Sequence, residues 1–204
     1  MKPRRTREHS TSNAEMSAQT KAGILNAAIA CLAELGYAGT TISEIADRVG
    51  LTRAALIYHF ESKHALMAAV IDAIYDEMAA RFAAAAPPFL APRERLLALL
   101  DSAGNHASSV NQIALLELLL AARRDPGFQA EVLPAIAQRE AAFDGAWREA
   151  IGGLPNAPRL EMLRDLSVAV LRGVTIGRSL GHDVVRIDHQ LAELRRLFVE
   201  AITP

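Results

Sequence analysis

Between Thr41 and Lys63 the chain spells the start of a helix three times in quick succession. Thr41-Ile42-Ser43-Glu44 has the pattern of a capping box, in which the Thr hydroxyl accepts from the Glu44 amide and the Glu44 carboxylate returns to the Thr41 amide. Ile42, Ile45, Ala46 and Val49 then recur at the steps that line one helix face, and Gly50 ends the run. Thr52 caps the next helix, whose Leu56 and Phe60 form a buried i, i+4 pair. Ser62 caps another, running from Lys63 towards Ala86 with Leu66, Ala69, Val70, Ala73, Ile74, Met78 and Phe82 on its inner side. Ala46, Gly50, Leu56 and Phe60 supply the small, turn and core positions that hold two short helices at a steep angle.

The flanks read as helix too. Ala18 to Leu35 carries Ile24, Ala27, Ala28, Cys31, Leu32 and Leu35 on one face, with Gly36 as the residue that follows its end. Pro87-Pro88 and Pro92 break the fourth helix. Longer helices are then expected at about 93–106, 108–124, 126–151, 158–181 and 187–202, with Asp125 capping the third of these and Pro134 kinking or splitting it. Apolar residues make up 51% of the chain and no segment alternates apolar with polar, so the fold class is all-α.

Charge alone carries little. Residues 1–63 hold eight Lys/Arg and six Asp/Glu, a mild basic excess inside a net charge of −1. The opening residues are basic and polar, with Arg4, Arg5 and Arg7, and read as a flexible arm over 1–17 without a signal-peptide core. No apolar run approaches the roughly 18 residues of a membrane span. Cys31 is the single cysteine, which excludes an intrachain disulfide, and it lies on an apolar helix face. A cytoplasmic location is expected.

Three helices with a glycine turn between the second and third make a helix-turn-helix, whose third helix offers its outer face to the major groove. That face carries Thr52, Arg53, Ala55, Tyr58 and His59, with Lys63 opening the fourth helix and Thr41 opening the second. Arg reaches guanine edges or phosphate, Thr and Tyr hydroxyls suit phosphate oxygens, and an Ala methyl suits thymine. The run ILNAAIACLAELGYAGTTISEIADRVGLTRAALIYHFESKHAL resembles the DNA-binding domain of the tetracycline-repressor (TetR) family, above all in Thr-Thr-Ile, Ile-Ala-Asp-Arg-Val-Gly and His-Phe-x-x-Lys. Family members often carry Tyr where this chain has Ile57, and Gly where it has Ala54.

The resemblance implies a DNA-binding domain over 18–64 and a helical effector-binding and dimerisation domain over 65–204. It implies a homodimeric repressor on double-stranded, near-palindromic DNA, released by an apolar small-molecule effector. Candidates for an effector cavity are Leu100, Leu116, Leu120, Phe143, Trp147 and Met162. The last two helices would pair with those of a second copy through Leu163, Leu166, Val170, Val174, Leu191, Leu194 and Phe198. The competing reading is an all-α small-molecule carrier or enzyme whose N-terminus only looks like a helix-turn-helix. No catalytic motif stands out, so no catalytic residue and no cofactor is expected. His182, Asp183, Asp188 and His189 invite a metal, but caps and surface charge explain them and no metal is expected.

Overall fold

The computed structural model describes residues 8–203, and among these the chain is helical throughout, with no strand. Its helices are α1 (Glu8–Gly39), α2 (Ile42–Val49), α3 (Arg53–His59), α4 (Lys63–Ala85), α5 (Pro92–His106), α6 (Val110–Ala122), α7 (Pro126–Ala150), α8 (Ala157–Ser179) and α9 (Val184–Ala201). Helix α1 begins at Glu8, well before the expected Ala18. Arg4, Arg5 and Arg7 of the expected arm lie outside the described residues.

Local chemistry sets most boundaries. Gly36 has φ 68° and interrupts α1 as its glycine predicts, in a region that side-chain-bearing residues rarely enter. Thr52 and Ser62 accept from the amides of Ala55 and Ala65, at 3.1 and 3.0 Å, and cap α3 and α4. Asp125 does the same for α7 through the Phe128 amide, at 3.0 Å. The expected capping box at Thr41 forms only by half. The Glu44 amide reaches the Thr41 hydroxyl at 3.1 Å, while the Glu44 carboxylate turns instead to Arg48, 3.6 Å away. Pro134 does not split α7, which runs unbroken past it on an exposed side where water can take the freed carbonyl.

Two large apolar clusters follow. The first joins α1, α2, α3 and α4 to α6 and the start of α7, through Ile24, Leu32, Ile45, Leu56, Leu66, Ile74, Leu118 and Phe128. It crosses residue 64 without a break, so the expected domain boundary is not a gap in packing. The stretch 15–39 of α1 is apolar and long enough to cross a membrane by length and composition. Its Ile24, Ala28, Cys31 and Leu32 are fully buried in this core, which accounts for that apolarity. The second cluster joins α5, the end of α7, α8 and α9 through Leu96, Trp147, Leu160, Leu194 and Phe198.

Candidate nucleic-acid interface

Helix α2 is fixed to the core by Ile45 and Ala46, both buried. Its end is a Schellman motif: the Leu51 amide donates to the Ala46 carbonyl at 2.9 Å and the Gly50 amide to Asp47 at 3.2 Å. Gly50 adopts φ 69° to make that turn. The turn swings α3 across α2, and α3 then uses Leu56 and Phe60 to bury one side.

The opposite side of α3 is left to solvent. Thr52, Arg53 and Ala54 are exposed, Ile57 is 42% exposed and Tyr58 is 87% exposed. Ala55 and His59 are half-buried, and the His59 ring meets Tyr58 edge-on at 5.6 Å. Arg53 has neither a carboxylate nor a hydrogen-bond partner among the described residues. Thr41 stands exposed at the start of α2. The structure therefore gathers Thr52, Arg53 and Tyr58 on one outward face and adds Ala54 and Ile57, which spacing alone did not assign to it.

Lys63 is differently employed. Its ammonium donates to the Tyr37 carbonyl at 2.8 Å and sits 4.0 Å from the Tyr37 ring centroid. Burial pushes its pKa below the ordinary lysine value. Around it, the Tyr37 ring stacks on Phe128 at 5.6 Å and the Tyr37 amide donates to Glu117 at 3.2 Å. His64 reaches Asp125 at 3.1 Å and lies against the same Phe128 ring. Lys63, expected at DNA, thus ties the end of α1 to the start of α4, beside α6 and α7. Tyr37, His64, Glu117 and Asp125 lie far apart in sequence, and only the Asp125 cap was legible there.

The six expected effector residues do not share a cavity. Leu100 lines an open cleft of about 540 Å³ between α5, α8 and α9. Leu116 borders a separate void of about 20 Å³, and Leu120 is exposed. Phe143 packs edge-on against Tyr75 and Phe82, at 6.5 and 5.7 Å. Trp147 is buried against Phe198, and its indole N–H has no acceptor among the described residues. Met162 is exposed on α8.

The expected pairing residues divide in a similar way. Leu163, Val174, Leu194 and Phe198 are buried in this chain's own core, and Val170 and Leu191 are half-buried against it. Only Leu166 of that set is exposed. The exposed line on α8 is instead Met162, Leu166, Ala169, Gly173, Ile176 and Leu180, whose alternating four- and three-residue steps make a continuous stripe. Asp183 caps α9 through the Val185 amide at 3.0 Å and Asp188 pairs with Arg178 at 3.5 Å, which gives both carboxylates structural partners.

The profile described as "Bacterial regulatory proteins, tetR family" matches residues 24–70, the segment that builds this face. The chain is 25% identical over 134 residues to the HTH-type transcriptional regulator CymR of Pseudomonas putida, a match spanning 66% of each chain. It is 41% identical over 61 residues to RutR of Escherichia coli K12, which covers 30% of this chain and 28% of RutR. The fold matches a TetR transcriptional regulator from Chloroflexus aurantiacus with a TM-score of 0.72 at 22% identity, over 92% of this chain and 98% of that one. A transcriptional regulator from Saccharomonospora viridis in complex with choline gives a TM-score of 0.72 at 19% identity, over 92% and 99%. These relatives and neighbours are regulators, not enzymes. The family profile thus lies on the helix-turn-helix, and the whole chain shares the fold of solved TetR-family transcriptional regulators.

Proposed function

We propose that the protein is a cytoplasmic homodimeric repressor that binds a near-palindromic operator and leaves it when a small apolar molecule binds. The observation that carries this is the outward side of α3, where Arg53 is unpaired beside Thr52 and Tyr58 while Leu56 and Phe60 hold the helix from behind. A helix anchored on one side and cationic on the other suits the major groove, where guanidinium groups meet guanine edges and phosphates.

A second copy would cover the exposed stripe of α8, with α9 beside it. Two-fold symmetry then sets the two α3 helices about 34–36 Å apart, or a multiple of that, to enter successive grooves. The cleft behind α8 suits the effector. Leu100, Leu171 and Leu191 line it, and its charged rim is already neutralised, Arg195 with Asp101 at 3.0 Å and Arg178 with Asp188 at 3.5 Å. Its volume falls within the range of small-molecule sites, roughly 300–1,000 Å³. With no unpaired carboxylate and no aromatic ring in its lining, it favours an uncharged ligand over a quaternary ammonium such as the choline of the structural neighbour. For release, the ligand must prefer the spacing of α3 helices that does not fit DNA.

The test is binding of purified protein to the duplex upstream of its own gene across a salt series. Affinity should fall steeply with salt, by a log–log slope of about 0.9 per neutralised phosphate. The Arg53→Ala, His59→Ala double variant should stay folded and dimeric while losing that binding. Equal affinity in wild type and variant would remove the basis of the proposal.

A further inference from the structure

We infer that Ile57 is a specificity residue that reads the 5-methyl group of a thymine in the operator; this rests on the DNA-binding role proposed for α3. Ile57 has no task inside the protein. It is 42% exposed, and it belongs neither to the buried core nor to the half-buried apolar residues packed against that core. The core positions of α3 are filled by Leu56 and Phe60. An exposed isoleucine on a seven-residue helix adds nothing to helix propensity either, since β-branched residues lose rotamer freedom there.

That stiffness is useful at a groove floor. In a helix one χ1 rotamer dominates, so the side chain presents fixed methyl groups rather than a mobile arm. The major groove offers an isoleucine one methyl partner, the C5-methyl of thymine, beside N and O edge groups that donate or accept hydrogen bonds. Ala54 stands three residues back and Arg53 four residues back, so all three share one side of α3, and both are exposed. The face is therefore mixed: a guanidinium that suits guanine O6 and N7, and beside it two methyl-bearing side chains that suit thymine. One helical turn advances about 5.4 Å, and base pairs rise about 3.4 Å. The thymine therefore lies one or two base pairs from the guanine met by Arg53, in each half-site.

The experiment starts from a duplex selected by the full-length protein out of a randomised pool, with each thymine then replaced singly by deoxyuridine. That change removes the methyl group and leaves every hydrogen-bonding group in place. At one position per half-site, uracil should weaken wild-type binding about fourfold, the effect of one buried methyl, and about fifteenfold when both half-sites are changed. Ile57→Ala should bind thymine and uracil equally at that position while keeping any response elsewhere. Ile57→Val, which keeps the branched methyls, should retain at least part of the discrimination. Thermal melting of each variant should match wild type, because the residue is outside the core.

Wild type indifferent to uracil at every position would overturn the inference, with DNA binding itself untouched. So would an Ile57→Ala variant with the full uracil response, or one that melts well below wild type. If no duplex is enriched at all, the proposed DNA-binding role fails first and the inference goes with it.

Discussion

Two helices of this molecule expose apolar side chains in a row, and their arginines tell them apart. On α3, Ile57 and Tyr58 lie beside Arg53, which has no partner among the described residues. On α8, the stripe from Met162 to Leu180 is flanked along its length by Arg164, Arg172 and Arg178, paired with Asp144, Glu140 and Asp188, and only Arg159 before its start has no ion pair among the described residues. An unpaired cation beside apolar groups suits a polyanion that also carries methyl groups, which describes a DNA groove. Neutralised cations beside a longer stripe suit a second protein surface, where an unpaired buried charge is costly. The difference supports the proposed roles, α3 at DNA and α8 against a second copy of the chain.

The comparison breaks most easily at α8. Replacing Leu166 and Ile176 with Glu puts four carboxylates into the proposed two-fold interface, two from each copy. The dimer should weaken by at least about a hundredfold, since unpaired buried charges and lost central contacts each remove much of the association energy. Sedimentation should show monomer, and operator affinity should fall with it. The variant's helical signal should be unchanged because both side chains are exposed in the single chain. A variant that remains dimeric would show that the stripe is not the contact.

Arg53→Ala is next in size. Loss of one guanine or phosphate contact per half-site should lower operator affinity about 10- to 100-fold, with dimerisation and melting temperature unchanged. Lys63→Ala should behave in the opposite way. Its ammonium is committed to the Tyr37 carbonyl and ring, so the variant should lose roughly 1 kcal/mol of stability. For a chain of this size that is about 2–4 °C in Tm. Fluorescence anisotropy and thermal melting on the same two proteins separate the roles. Equal loss of DNA affinity by both variants would return Lys63 to the DNA face.

What the sequence made legible here was local. Thr41, Thr52, Ser62 and Asp125 announce helix starts because a cap bonds within three residues, and Gly36 and Gly50 announce turns because they take positive φ. Thr52, Arg53 and Tyr58 on the outward face of α3 followed from the same local spacing, whereas Ala54 and Ile57 did not. The bond from Lys63 to the Tyr37 carbonyl was not legible, because Tyr37 lies on another helix and no periodicity records that meeting. Helix α8 was ambiguous for a different reason. It is apolar on two sides, Leu160, Leu163 and Val174 turned inward and Met162, Leu166 and Ile176 outward, and both sets step by three and four. Periodicity shows that such a helix has apolar faces, not which of them its own chain covers. The cleft proposed for an effector was the least legible feature, because it exists only where α5, α8 and α9 fail to close on one another.

The smallest expected effect concerns Asp125, the cap of α7, which faces His64 at the start of α4. Its carboxylate accepts from the Phe128 amide at 3.0 Å and faces His64 Nε2 at 3.1 Å. The Phe128 hydrogen bond, helped by the charge of His64 when protonated, holds its pKa below the ordinary value of 3.8. A carboxyl group with a depressed folded pKa stabilises the fold above its unfolded value, and that contribution is lost as pH falls through the folded pKa. Asp125→Asn keeps a side-chain oxygen for the cap but cannot titrate. The variant should melt slightly below wild type near neutral pH, and the gap should close as pH falls below the ordinary value of 3.8 and through the lower folded one. A gap that stays constant over that interval would mean that the Asp125 charge contributes nothing. At this end of the two helices, the contact between His64 of α4 and α7 would then rest on ring packing against Phe128.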